Sequence, residues 1–149
     1  MSFRSYMDQA LEEARAAAGR GEVPVGAVIV SPSGEVVARA GNRTREMNDP
    51  TAHAEILAIR AACAAMGDER LKVHDLYVTL EPCPMCAAAI SFARISRLYF
   101  GASDPKSGGV LMGPRVFDQA QCNHKPEIYN GLQERESEGL LKSFFQGRR

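Results

Sequence analysis

Two short segments of the chain concentrate metal-binding and acidic side chains, and they constrain the fold more than any other feature. His53 and Glu55 stand two residues apart in the first segment, and Cys83 and Cys86 stand three apart in the second. One imidazole and two thiolates are ligands that zinc prefers, whereas a structural zinc site normally adds a fourth protein ligand. Three ligands leave a position for water, whose pKa falls to about 7 on zinc, so that it becomes a hydroxide nucleophile. The fold must therefore bring both segments together, with Glu55 as the group that moves the proton of this water.

The second segment predicts a helix that begins within it. Pro84 suits the first position of a helix, and residues 87–90 continue the helix with small and apolar side chains. Cys83 and Cys86 then share one face because they are three residues apart. The positive end of the helix dipole favours the thiolate form, which lowers the thiol pKa from its free value of about 8.5.

The first segment also predicts a helix, with Asp49 or Thr51 as its N-cap and Pro50 at its start. Apolar residues recur there at helical period, namely Ala52, Ile56, Ile59, Cys63 and Met66. His53 and Glu55 are then expected in the first turn. Side chains two residues apart on a helix point about 160° away from each other, so the pair can serve one site only if that site lies off the helix end.

Either segment alone has a simpler explanation. An isolated C-x-x-C pair is compatible with redox chemistry, and an isolated histidine with a hydrogen bond in the core. Cys122 or His124 would in principle complete a structural zinc site with four protein ligands. That alternative describes a zinc-stabilised binding module without catalysis, and it leaves Glu55 with no chemical task.

The rest of the chain predicts an α/β domain. Predicted strands cover residues 25–30, 35–41, 75–80, 97–101 and 127–129, and predicted helices outside the two segments cover residues 3–18, 115–121 and 133–146. Residues 25–30 form an apolar run that indicates an internal strand, paired antiparallel with residues 35–41. Strand 75–80, the cysteine helix and strand 97–101 follow one another, which predicts a βαβ unit with a parallel strand pair. A chain of 149 residues is expected to form a single domain over residues 1–149.

Charge and cysteine content restrict the partners and the compartment. Basic and acidic residues number 18 each, so any nucleic-acid contact must come from a local patch. The last ten residues are basic, with Lys142, Arg148 and Arg149. Four cysteines, two of them in the metal segment, predict a reduced intracellular protein. We expect a cytoplasmic location without a membrane span, because no secretory signal or long apolar run is present.

The glycine-rich stretch 102–113 is the expected substrate-side loop. It contains Asp104 and Lys106 and does not match a phosphate-binding P-loop. Ligands of α/β sheets bind beyond the carboxyl ends of the strands, which is where this loop begins.

The H-x-E and P-C-x-x-C motifs together resemble the signature of zinc-dependent nucleobase deaminases. Residues 22–28, 42–43, 49–56, 79–86, 100–102 and the carboxyl end resemble bacterial tRNA-specific adenosine deaminases, so the resemblance covers nearly the whole chain. It implies a cytidine-deaminase-like three-layer α-β-α sandwich with a mixed sheet, usually as a homodimer. It also implies one Zn²⁺ per subunit on His53, Cys83 and Cys86, with Glu55 as the catalytic proton shuttle.

The same resemblance implies a substrate, the wobble adenosine of a tRNA anticodon loop, which these enzymes convert to inosine. Asn42 resembles the residue whose amide holds the base edge. Phe144 and Phe145 are about 100° apart on a helix, so we expect Phe144 to pack inward and Phe145, with Arg149, to face the RNA. Deaminases of free guanine or cytosine share mainly the central motifs and are the alternative.

Overall fold

The computed structural model describes residues 6–147. Its helices are α1 (Met7–Gly19), α2 (Ala54–Met66), α3 (Pro84–Phe92) and α4 (Glu134–Gln146), and its strands are β1 (Gly26–Val30), β2 (Val36–Gly41), β3 (Asp75–Leu80), β4 (Arg97–Ala102) and β5 (Glu127–Tyr129). All five predicted strands are confirmed to within a residue at each end. The helix predicted over residues 115–121 is only a short 3-10 turn, Val116–Asp118. No helix within residues 6–147 is long and apolar enough to cross a membrane.

The five strands form one mixed sheet in the order β2-β1-β3-β4-β5. β1 pairs antiparallel with both β2 and β3, whereas β3, β4 and β5 run parallel to one another. All five residues of β1 are buried, in agreement with the internal strand predicted from its apolar run. The parallel pair of β3 and β4 confirms the βαβ unit and places the end of β3 directly before the cysteine segment.

Helices cover both faces of the sheet and divide the core into two clusters. Ile29, Leu76 and Leu98 face the cluster that contains α2 and α3. Their neighbours Val28 and Tyr77 face the other cluster, which contains α1 and receives Leu140 of α4. Successive strand residues point to opposite faces, so this alternation produces the three-layer α-β-α sandwich that the resemblance implied.

The start of α2 differs from the prediction. The N-cap residue is His53, with extended backbone, and not Asp49 or Thr51. Asp49 Oδ1 instead accepts hydrogen bonds from the backbone N–H and the hydroxyl of Thr51, at 2.8 and 2.7 Å. The buried N–H of Ala54, which has no partner within the helix, donates to Asn42 Oδ1 at 2.8 Å. The cap therefore comes from a residue distant in sequence, and local capping preferences identify only nearby candidates.

Candidate active site

His53, Cys83 and Cys86 form a compact group at the carboxyl end of β3. Their ligand atoms all lie within 4.8 Å of one another, and within residues 6–147 they are the only group of three or more potential ligands this close together. His53 Nδ1 lies 3.6 Å from Cys83 Sγ and 3.5 Å from Cys86 Sγ. Two sulfurs and one imidazole nitrogen in mutual contact match the donor set of a three-ligand zinc site.

Two helix starts hold this group in place. His53 is the N-cap residue of α2 and Cys83 is the N-cap residue of α3, both with extended backbone. Pro84 occupies the start of α3 as predicted, and Cys86 lies in its first turn. Because His53 precedes the helix, the 160° separation expected from Glu55 does not arise, and both side chains reach the same site. The positive ends of both helix dipoles favour negative charge there.

A hydrogen bond between the two cysteine side chains shifts the pKa values of their thiols in opposite directions. The hydrogen bond from Cys86, aided by His53, lowers the pKa of Cys83 to about 4. The same hydrogen bond, together with burial, raises the pKa of Cys86 above its ordinary value. Zinc binds thiolates, so metal binding must release the proton of Cys86, and the donors fit the metal chemically as well as geometrically.

Glu55 is the buried acid of the site. Its side chain is 3% exposed, and this burial raises its carboxyl pKa to about 7, although hydrogen bonding to its own backbone and the nearby His53 act in the opposite direction. A carboxyl group with a pKa near neutrality can both accept and donate a proton at physiological pH.

Glu55 opens onto a cavity of about 220 Å³ beside the metal ligands. The cavity is lined by apolar Val23, Val25 and Leu80 and by polar Asn42, Thr44, His53, Glu55, Glu81, Cys83, Asp104 and Ser107. Two of the predicted substrate residues, Asn42 and Asp104, thus lie in the same cavity as the catalytic candidate.

A second cavity of about 500 Å³ adjoins the first and shares Val23, Leu80, Asp104 and Ser107 with it. Lys106 and Phe145 line this outer cavity. Phe145 is 54% exposed, whereas Phe144 is half-buried, in the order expected from helical geometry. The structure therefore brings Asp104, Lys106 and Phe145 together, while Arg149 lies outside the described residues.

Sequence reasoning missed two buried glutamates, which bind two different segments that line the cavity. Glu22 is 2% exposed and accepts hydrogen bonds from the backbone N–H groups of Arg45 and Glu46 and from the Thr44 hydroxyl. Burial raises the pKa of Glu22, but the hydrogen bonds from Glu46 and Arg45 outweigh burial and hold this pKa below its ordinary value. Glu81 is equally buried and accepts hydrogen bonds from the backbone N–H groups of Asp104 and Val110. A glutamate beside an apolar strand predicts an exposed side chain, so no local signal marked either residue.

Cys122 and His124 do not belong to the metal-binding group. Cys122 Sγ lies 3.4 Å from Ser91 Oγ and 3.2 Å from the His124 carbonyl oxygen. His124 Nε2 lies 2.6 Å from the Ile95 carbonyl oxygen. Cys122 contacts the end of α3 and His124 the segment that follows it, and neither supplies a fourth metal ligand.

An α-β-α sandwich with a three-ligand zinc site and a buried glutamate beside it defines a zinc-dependent deaminase. Residues 2–102 match the family model of the cytidine and deoxycytidylate deaminase zinc-binding region. A tRNA-specific adenosine deaminase of Agrobacterium fabrum is 62% identical, with 97% of this chain and 94% of the relative covered. The chain therefore belongs to the cytidine and deoxycytidylate deaminase family, and within it to the tRNA-specific adenosine deaminases.

Solved structures agree with this assignment. A structure from studies of A-to-I editing by tRNA:A34 deaminases at the wobble position of transfer RNA superposes with a TM-score of 0.90 and 63% identity, and the match covers 91% of this chain and 98% of the other. A guanine deaminase from Nitrosomonas europaea superposes with a TM-score of 0.79 at 23% identity, covering 93% of this chain and 81% of the other. At this identity the likeness to the guanine deaminase supports the fold and carries no argument about the substrate.

Proposed function

We propose that residues 1–149 act as one zinc-dependent deaminase domain that converts adenosine to inosine at the wobble position of a tRNA anticodon. The observation that carries this proposal is the placement of buried Glu55 beside the three metal ligands, in a cavity that continues into an exposed groove. The reaction is a hydrolysis in which water supplies the oxygen that replaces the amino group, and ammonia leaves.

The residues of the site have separate tasks in this reaction. His53, Cys83 and Cys86 would hold one zinc ion per subunit, and the bound metal would supply a water acidic enough to act as a nucleophile near neutral pH. Glu55 takes one proton from the water and passes it to the purine ring nitrogen, then takes the second proton from the same oxygen and donates it to the amino group, which leaves as ammonia. Burial of this carboxyl group raises its pKa and so favours its uptake of the proton.

Asn42 is suited to hold the base edge in one orientation. Its Oδ1 already accepts the N–H of Ala54, and its amide nitrogen has no hydrogen-bond partner within residues 6–147. The side chain therefore offers hydrogen-bond donors to the cavity, and a ring acceptor of the substrate base can bind there. The α2 cap and base recognition thus depend on the same amide group.

The outer cavity is suited to the flanking nucleotides of an RNA loop. Bases of single-stranded loops stack on aromatic rings, and cations near the strand bind its phosphates. Phe145 presents an exposed ring, and the exposed Lys106 has no ion-pair partner within residues 6–147. We infer that both contact the anticodon loop, with Arg149 beyond the same helix as a further contact.

Phe145→Ala is expected to weaken binding of an anticodon stem-loop by about tenfold, because stacking contributes about 1 to 3 kcal/mol per base. Zinc content and the melting temperature should remain near those of the unaltered protein, since the ring is already 54% exposed. Fluorescence anisotropy with labelled RNA measures the affinity, and Tyr129→Ala removes another exposed ring, which lines neither cavity, as a matched control. Equal binding by the two variants would exclude the stacking role.

The substrate itself separates this function from its alternative. A free-base guanine or cytosine deaminase needs a pocket closed by its own chain, whereas this site opens into a second cavity. Incubation of the zinc-loaded protein with tRNA, guanine and cytosine in separate reactions is expected to yield inosine in tRNA and no ammonia from either base. Ammonia from a free base without inosine in tRNA would favour the alternative.

We also propose a homodimer in the cytoplasm, where tRNA is used. Phe92 is 73% exposed and borders an apolar cavity with Ala88 and Val116 on the outer side of α3. An aromatic ring of this exposure fits burial against a second copy of the chain. A solution mass equal to one chain at micromolar concentration would contradict the dimer.

A further inference from the structure

The loop of residues 103–113 is wrapped around the carboxylate of Glu81. Glu81 Oε1 accepts the backbone N–H of Asp104 at 3.0 Å. Glu81 Oε2 accepts three successive backbone N–H groups, from Val110 at 3.1 Å, Leu111 at 2.8 Å and Met112 at 2.9 Å. One buried side chain thus binds both ends of the loop, and hydrogen bonds to a charged acceptor are stronger than neutral ones.

Asp104 extends this network to the surface of the cavities. Its side-chain Oδ1 accepts the N–H groups of Lys106 at 3.2 Å and Ser107 at 3.0 Å, and its carbonyl accepts the N–H of Gly108 at 2.8 Å. Lys106 and Ser107 line the outer cavity, and Ser107 also lines the inner one. The position of Lys106 therefore depends, through Asp104, on the buried carboxylate of Glu81.

We propose that Glu81 is a positioning residue for RNA binding, which acts through the 103–113 loop to hold Lys106 and Ser107 at the edge of the substrate cavity. This inference rests on the proposed RNA substrate. Glu81 does not need to contact the reacting atoms, because its oxygens are taken up by loop amides. Its effect on the substrate is therefore transmitted by Lys106.

Gly108 and Gly109 allow the positioning of the loop by Glu81 to be tested separately from the positioning of the metal ligand Cys83. A Cβ on Gly108 would lie 2.6 Å from Glu81 Cδ and 2.6 Å from the Asp104 carbonyl oxygen, so Gly108→Ala pushes the loop away from Glu81 without changing any charge. A Cβ on Gly109 would lie 2.6 Å from Pro84 N and 2.9 Å from Cys83 C. Gly109→Ala therefore displaces the metal ligand segment, whereas Gly108→Ala displaces the substrate side of the loop.

The test is a double-mutant cycle between Glu81 and Lys106 in the zinc-loaded protein. Glu81→Gln places an amide donor against N–H groups that need an acceptor, which frees the loop. We expect Glu81→Gln and Lys106→Ala each to weaken binding of an anticodon stem-loop by about tenfold, and the double variant to bind no more weakly than Glu81→Gln alone, because residues of one network couple. KM should rise while kcat stays near that of the unaltered protein, since only binding is lost.

Glu22→Gln is the matched comparison, because it removes a buried carboxylate that binds residues 44–46 and not the 103–113 loop. The fold-changes in stem-loop affinity caused by Glu22→Gln and by Lys106→Ala should multiply in the double variant, as expected for sites without a shared partner. If the fold-changes in affinity caused by Glu81→Gln and by Lys106→Ala also multiply in their double variant, the proposal is overturned.

If Glu81→Gln fails to fold or loses zinc, Gly108→Ala replaces it in the cycle. Fold-changes in affinity that multiply for Gly108→Ala and Lys106→Ala would then overturn the proposal. A failure of the unaltered protein to form inosine in the stem-loop would count against the RNA substrate itself. Inosine formation combined with a multiplicative cycle would count against the role of Glu81 alone.

Discussion

Replacing Glu55 with alanine is expected to lower the rate of adenosine deamination by at least about 10², the scale of a positioned general acid and base. The three metal ligands remain, so one zinc per chain should be retained, and circular dichroism should show an unchanged fold. Inosine formation under single-turnover conditions measures the chemical step directly. Glu69→Ala, in the exposed segment that follows α2, is the matched control and should keep full activity. A fully active Glu55→Ala variant would contradict the proton-shuttle role.

The same residue has a pH signature in the metal-free protein. Burial raises the pKa of Glu55 from about 4.5 to about 7, so its contribution to folding stability is full below pH 4.5 and is lost as the pH rises through about 7. Glutamine does not titrate. The melting temperature of the metal-free Glu55→Gln variant minus that of the metal-free unaltered protein should therefore become larger as the pH is raised from 5 to 8. A constant difference over this range would mean that the carboxyl titrates normally.

Replacing Cys86 with alanine is expected to abolish zinc binding and to lower activity even more than the loss of Glu55 does. Zinc binds only the folded site, so its binding free energy adds to the stability of the fold, and the variant should also melt at a lower temperature. Metal content by mass spectrometry and inosine formation are the two measurements. Cys122→Ala removes a half-buried thiol outside the metal group and should retain both zinc and activity. Stoichiometric zinc and full activity in Cys86→Ala would contradict the ligand assignment.

Proton release gives the metal site a second test. Cys86 keeps its proton in the metal-free site because its pKa is raised, whereas Cys83 is already a thiolate. For each proton that the metal displaces, the apparent zinc affinity increases about tenfold for every unit by which the pH rises. Competition with a chelator at pH 6 and pH 8 is expected to show this dependence, and an affinity that does not change with pH would exclude proton release from Cys86.

The elements that sequence predicted well are those determined by short-range patterns. The apolar run of β1 and the proline at the start of α3 identify their structures locally, and both are observed. The pairing of β3 with β4 followed from the order of strand, helix and strand. The three metal ligands followed from residue type and spacing, because few side chains bind zinc.

The features that sequence did not predict depend on partners far along the chain. Asn42 reaches the amide of Ala54 across a separation of 12 residues, and Glu81 reaches Val110 across 29. Each residue satisfies backbone donors that a loop or a helix end leaves open, and nothing in the neighbouring sequence marks the partner. A buried glutamate is unusual in general, so composition predicts the opposite of what Glu81 does.

The division of the core has an evolutionary consequence. Ala54 of α2 and Ala87 of α3 pack in one cluster, and Leu140 of α4 packs against the other, across the sheet. Substitutions that tilt or lengthen α4 can therefore reshape the outer cavity, which Phe145 lines, without moving the metal ligands. Selection can change which molecule is admitted while the chemistry stays constant, so one lineage can acquire new substrates by altering a single face of its sheet.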